Sequence, residues 1–295
     1  MRLSTNQIYD ASLTSIQQQA GDVMKYQTQI SSGQKYKNIS DNPQAVGYGL
    51  KLDFDKAQYD MFVINQKKMY ERISNVDAQL ISINSALTQM KQVVVESGGA
   101  FAQDIRSTTL YQKAVSLRDS VLNYAQAKDS SGQPILKPLE ENQSLSRVAI
   151  DMNIDIDETV SLKESMGIYG NGDVGSREVV EGAVDVLSLL DDIVSSLENG
   201  NNPAMEEPNL SLMLDQAVLQ VRAAQVKVGL MNAQVTNAQD SVELKKLNAD
   251  NARSAVLDTD IAESSANLAK SQALLQAAQS IFAKIQSSSL FDKIW

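Results

Sequence analysis

The stretch Asp258–Ser288, DTDIAESSANLAKSQALLQAAQSIFAKIQSS, decides how the rest of the chain is read. Ile261, Leu268, Leu275 and Phe282 recur every seven residues, with Leu274, Ala278, Ile281 and Ile285 beside them. A step of seven lays one apolar stripe along an α-helix, the stripe that a partner helix covers. The positions between are Ser, Ala, Asn and Gln, with few charges. Such a helix is expected to be poorly ordered alone and well ordered when packed. Its expected company is the N-terminal helix and neighbouring copies of the same chain.

At the other end, Ser4-Thr5-Asn6 is a capping sequence for a helix reaching about Ser32. Ile8, Ile16, Ala20, Val23 and Ile30 lie near one face of it, and its remaining positions are again rich in Gln, Ser and Thr. Gly33 ends this helix. The loop through Asn38, Ser40 and Asp41 closes on Pro43, where Ser40 or Asp41 is expected to supply a capping oxygen and Pro43 to occupy the first turn.

Long heptad helices follow. Pro43 to about Glu96 carries Ile73, Val76, Leu80, Ile83, Leu87, Met90 and Val94 in steps of three and four. In its earlier half Leu50, Phe54, Ala57, Met61 and Ile64 read as the seam, with Met61, Met69, Met90 and Met231 as seam methionines. The two registers do not join across Asn65–Lys68, which predicts a stutter or local unwinding there. Gly98-Gly99 breaks the helix. Thr108 to about Lys128, Ser176 to Glu198 and Asn209 to Ser254 read as further helices, the last with ten apolar residues from Leu210 to Val242 on one seam.

Between them the period changes. Asp129-Ser130-Ser131-Gly132-Gln133-Pro134 is turn chemistry, and Val148, Ile150, Met152, Ile154 and Ile156 alternate as strand, with a hairpin turn near Asp151–Asn153. Gly167, Gly170, Gly172 and Gly175 close the segment as loop.

The expected fold is therefore mainly α: a long antiparallel helical bundle or coiled coil, both termini paired at one end and a small β-rich outer insertion at the other. The expected domains are 1–32 with 258–295 as a terminal coiled coil, 33–128 with 176–257 as a helical rod, and 129–175 as the insertion.

Composition narrows the function. The chain has no His and no Cys, which removes the commonest acid–base residue, the usual zinc ligands, thiol nucleophiles and disulfides. A net charge of −10 is the wrong sign for nucleic acid or an anionic membrane. No apolar run approaches the roughly 20 residues that span a bilayer, and the N-terminus has no apolar block of signal-peptide type. No enzyme, metal or cofactor is expected. Asp258, Asp260 and Glu263 read as helix capping in preference to a cation site. Asp155, Asp157 and Glu158 read as a solvated strand face, since no partner base is apparent. The glycines at 167–175 lack phosphate-loop spacing.

Taken together, Met1-Arg2-Leu3-Ser4-Thr5-Asn6-Gln7, Ser31-Ser32-Gly33-Gln34-Lys35 with Ser40-Asp41-Asn42-Pro43, Asp258-Thr259-Asp260-Ile261-Ala262-Glu263 and Gln272-Ala273-Leu274-Leu275-Gln276-Ala277-Ala278 resemble the flagellin superfamily of bacterial flagellar axial proteins. Leu122 to Asp129 is similar to the entry into the outer domain in its junction-protein branch. The resemblance implies secretion without a cleaved signal peptide, through the flagellar type III export apparatus with an export chaperone. It further implies assembly of a ring of like subunits at the hook–filament junction, between an adjacent hook-associated junction protein and flagellin. Flagellin itself is the alternative, although its loop before the long helix usually lacks the Pro that stands here at 43. The expected assembly interface is Ile8, Ile16, Val23, Ile30, Ile261, Leu268, Leu275, Ala278, Phe282 and Ile285. The loop motif is Gly33, Asn38, Ser40, Asp41 and Pro43, and the expected helix cap is Asp258 with Asp260.

Overall fold

The computed structural model describes residues 5–98, 105–170, 178–206 and 208–291. Seven helices occupy most of them: α1 Thr5–Ser32, α2 Pro43–Ser97, α3 Ile105–Ala125, α4 Leu162–Met166, α5 Val186–Glu198, α6 Leu210–Leu257 and α7 Ile261–Phe291. Two small antiparallel ribbons accompany them, β1 Arg147–Asp151 with β2 Ile154–Asp157, and β3 Ile168–Tyr169 with β4 Glu178–Val179. The class is mainly α, with long helices packed as in a bundle and a small strand insertion. Met1–Ser4, Gly99, Gly172, Gly175 and Asp292–Trp295 lie outside the described residues, as does the side chain of Ile8. The chain divides into two compact units, 1–58 with 245–295, and 59–244.

In the unit 59–244, α2 buries Tyr59, Phe62, Met69, Ile73, Val76, Leu80, Ile83, Leu87, Met90 and Val94. From α6 come Leu210, Leu214, Ala217, Val221, Ala224, Val228, Met231, Val235, Ala238 and Val242, again in steps of four and three. Lys91 and Asp215 pair these helices across the surface. Leu110, Ala114 and Val121 of α3 and Leu187, Leu190 and Ile193 of α5 join the same core.

The expected seam in the first half of α2 is corrected. Leu50, Phe54, Met61 and Ile64 are between 54% and 71% exposed, and Ala57 is exposed too. The helix runs unbroken through Asn65–Lys68, without local unwinding. The step missing from the apolar pattern is Gln66, 1% exposed, whose Nε2 donates to the Ile150 carbonyl at 2.6 Å. With Gln66 counted, Tyr59, Phe62, Gln66, Met69 and Ile73 form one continuous seam. Met61 stands two residues from Tyr59, about 200° around the helix, and so faces away from it. Periodicity alone could not choose between two stripes on opposite faces.

The start of α5 is corrected as well. Glu178–Val179 is strand, Gly182 has φ +78°, and the helix begins at Val186. Asp185 caps it, its Oδ1 accepting from the Leu187 and Ser188 N–H groups, both at 2.9 Å. A capping carboxylate behind a left-handed glycine outweighs the apolar spacing of Val180 and Ala183. The β1–β2 ribbon turns at Met152-Asn153, with Ile150 and Ile156 buried and Met152 and Ile154 exposed.

Ion pairs hold the insertion. Arg72 reaches Asp129 at 3.3 Å and Glu158 at 3.4 Å, and Lys227 reaches Asp157 at 2.9 Å and Glu164 at 2.6 Å. Burial depresses the Lys227 pKa, but its hydrogen bonds to Glu164 and Asp157 outweigh this and leave it raised. The Asp192 carboxyl is raised by partial burial first, then by Asp191, Asp185 and Glu206. A carboxyl raised on folding opposes its own ionisation. Its charge therefore destabilises the fold above the folded pKa and has no effect below the unfolded pKa, where both states hold the proton.

Asp192→Asn is accordingly expected to raise the urea midpoint at neutral pH, with the gain vanishing in acid below the carboxylate range; equal midpoints at neutral pH would contradict the assignment. Gln66→Ala is expected to cost about 1–3 kcal/mol in the same assay, because it strands a buried carbonyl.

Candidate assembly surface

In the unit 1–58 with 245–295, α1 and α7 pack against each other. On α1 the inward positions are Ser12, Ile16, Gln19, Val23, Tyr26 and Ile30, all half-buried, in a regular four–three alternation. On α7 they are Ser264, Leu268, Ser271, Leu275, Ala278, Phe282 and Ile285, in the same alternation. The Tyr9 and Phe282 rings meet with centroids 5.0 Å apart. Of the expected interface, Ile16, Val23, Ile30, Leu268, Leu275, Ala278, Phe282 and Ile285 lie on this seam, while Ile261 is 60% exposed at the start of α7.

The seam also holds residues that apolar scanning passed over. Ser264 and Ser271 are the two buried residues of α7 among those described. Gln19 and Tyr26 continue the alternation on α1. Their spacing marks them once the frame is fixed; their residue types do not. No described residue of α1 is fully buried. Leu274 and Ile281, seven apart, form an exposed stripe on α7, and Leu13 and Met24 are exposed on α1.

The loop after α1 fixes where this pair starts. Gly33 adopts φ +69°. Its carbonyl accepts from the Thr259 N–H at 2.9 Å, and the Lys35 N–H donates to the Leu257 carbonyl at 2.7 Å, with Gln34 opposite Asp258 in an antiparallel bridge. The Gln29 side chain donates to the Lys35 carbonyl at 2.8 Å. Asp41 accepts from the Lys37 and Asn38 N–H groups at 3.2 and 3.0 Å, and so shapes the loop instead of capping the helix. The cap of α2 is Asn42, whose Oδ1 accepts from the Ala45 N–H at 3.1 Å, with Pro43 first in the helix. Ser40 is exposed. Because α7 starts at Ile261, only Asp260 reaches its free amides, accepting from Ala262 and Glu263 at 2.9 and 3.0 Å. Asp258, expected to share that role, follows the end of α6 and accepts from the Ser254 hydroxyl.

Two helical regions of one family account for this arrangement of ends. The model for the bacterial flagellin N-terminal helical region matches residues 3–140, and that for the C-terminal helical region matches residues 212–292. The chain belongs to the bacterial flagellin family. It is similar to flagellar hook-associated protein 3 of Escherichia coli K12, 24% identical over 74% of this chain and 66% of that one. The Salmonella typhimurium LT2 protein of the same name is 22% identical over 100% of this chain and 89% of that one. In fold it resembles Bacillus cereus FlgL, with a TM-score of 0.52 at 12% identity, over 69% of this chain and 99% of that chain. As a member of this family the chain is a structural component of the flagellum.

Of the three acidic residues read as a solvated strand face, Asp155 is exposed, whereas Asp157 and Glu158 are half-buried and ion-paired. Asp157 pairs with Lys227, and Glu158 with Arg72 and Lys137. Among the described residues no group of three or more His, Cys, Asp or Glu is placed to hold a metal ion, and no helix is long and apolar enough to cross a membrane.

The cap assignment is open to a paired test. Asp260→Ala is expected to cost the terminal pair about 1 kcal/mol and speed exchange of the Ala262 and Glu263 amides. Asp258→Ala, which removes no α7 cap, is expected to leave those amides unchanged.

Proposed function

We propose that this flagellin-family chain is a subunit of the hook–filament junction, assembling with copies of itself into a ring. In this reading the ring lies between the adjacent hook-associated junction protein and the flagellin filament. Export is through the flagellar type III apparatus, assisted by a chaperone, and the protein acts outside the cell. Residues 1–32 with 258–295 serve as the assembly segment, 33–128 with 176–257 as the rod, and 129–175 as the outer part.

The observation that supports this most is the half-covered terminal pair. Apart from the buried Ser264 and Ser271 its seam residues are half-buried, its outer stripes include Leu274 and Ile281, and its flanks hold Gln, Ser and Ala where a solvated helix carries charge. Interfaces deplete charge at their centre in the same way. Helices that complete their order only on packing make assembly conditional on a correct template. The named relatives and Pro43 favour the junction over the filament as the place of assembly.

Deletion with complementation tests it. Loss of the gene is expected to leave hooks intact while flagellin is shed as monomer into the medium; filaments that still form would refute the junction role. Removal of 258–295 is expected to abolish complementation while the cooperative unfolding transition of the 59–244 unit remains.

A further inference from the structure

Charge is divided unevenly along the chain. The unit 1–58 with 245–295 holds twelve Lys and Arg and ten Asp and Glu, whereas 59–244 holds fourteen and twenty-six. The whole negative excess thus belongs to 59–244, and the other unit is slightly basic. Within this basic unit, three lysines gather at a single depression. A cavity of about 600 Å³ lies between the second half of α1 and the loop after it, lined by Lys25, Lys35 and Lys37 with Met24, Thr28 and Tyr36.

The cavity is held by local hydrogen bonds. Gln29 ties the loop to α1 through the Lys35 carbonyl, and the bridge to Leu257–Thr259 holds the loop from behind. Asp41 is the one carboxylate in the lining, and the Lys37 and Asn38 backbone amides occupy its Oδ2. Among the described residues, no carboxylate lies within ion-pair distance of Lys25, Lys35 or Lys37, although Asp22 stands one turn before Lys25 on α1. The Lys25 and Lys35 amino groups lie 5.9 Å from the ring centroids of Tyr26 and Tyr36. Three exposed ammonium groups around one concavity, in a protein of net charge −10, form a site of opposite sign to most of its own surface.

We propose that this basic cavity docks the carboxylate-bearing surface of a second copy of the chain, presented by that copy's residues 59–244. The inference rests on the reading of the chain as a self-assembling subunit and names the contact that orients one copy on the next. Charge complementarity selects the occupant: the acidic unit carries the excess that the lysines lack. Asp192 is one such exposed carboxylate, its charge disfavoured by partial burial first and then by Asp191, Asp185 and Glu206. Opposed patches of this kind steer encounter and fix register more than they add affinity.

The test follows full-length chain by sedimentation velocity at about 50 mM and about 500 mM salt, where screening differs severalfold in length. Wild type is compared with Lys25→Glu/Lys35→Glu/Lys37→Glu and with the corresponding triple Gln variant, circular dichroism establishing that all three fold. Wild type is expected to self-associate at low salt and less at high salt. The Glu variant is expected to lose about tenfold or more in association, with the Gln variant between. Fluorescently labelled Glu variant is still expected to bind unlabelled wild type, because its acidic surface is intact. Association of the Glu variant equal to wild type would overturn the cavity as a docking site while leaving self-assembly standing. Failure of the mixture would overturn it in favour of a structural role for the lysines. No association by any form would remove the self-assembly reading and this inference with it. Lysine-dependent binding to vesicles of anionic lipid, without self-association, would assign the cavity to lipid headgroups instead.

Discussion

Two backbone hydrogen bonds, Lys35 N–H to the Leu257 carbonyl and Thr259 N–H to the Gly33 carbonyl, set the terms for everything at the ends of this chain. They pin the loop leaving α1 against the loop entering α7. Heptad helices whose seams hold Ser, Gln and Ala have little in their side chains to stop one sliding past the other by a repeat. The bridge removes that freedom, because slipping would strand backbone amides and carbonyls. From Tyr9 to Gln34 the first arm advances 25 positions, and from Phe282 back to Asp258 the second advances 24. The two therefore run antiparallel without a slip between the aromatic contact and the bridge.

Register is settled, yet coverage is not. A helix covered by one neighbour hides one stripe, and the terminal pair hides a stripe in which Ser264 and Ser271 take places that Leu would fill in a stronger coiled coil. The unit 59–244 is built differently. There Leu80, Ile83, Leu87 and Met90 are fully buried, and buried polar residues such as Gln66 and Asp151 are hydrogen-bonded within the unit. One sequence thus encodes a self-sufficient core and a deliberately incomplete one. The incomplete one is where a family built for assembly would place it.

Much of this was legible beforehand, for physical reasons. Heptad spacing located α2, α3, α6 and α7 within a few residues, because apolar burial at four–three steps has no other economical meaning. Gly33 and Pro43 marked the loop because left-handed backbone and a missing N–H suit few other places. What escaped were positions where chemistry and role diverge. Gln66 sits in an apolar seam because the Ile150 carbonyl needs a donor there. Leu50, Phe54, Met61 and Ile64 have the spacing of a core stripe but face outward. The capping oxygens of Asn42 and Asp185 depended on where each helix starts, which composition cannot place to the residue. The basic cavity joins residues of a helix and a loop whose closeness only the folded chain reveals.

Assembly through the chain's ends requires that the terminal pair be incomplete in the free chain. Amide hydrogen exchange on the full-length monomer, resolved by residue, measures this directly. Amides of α1 and α7 are expected to exchange far faster than those of α2 and α6 within 59–244, and to become protected on assembly. Protection of the terminal amides in the free monomer equal to that of the 59–244 core would contradict it.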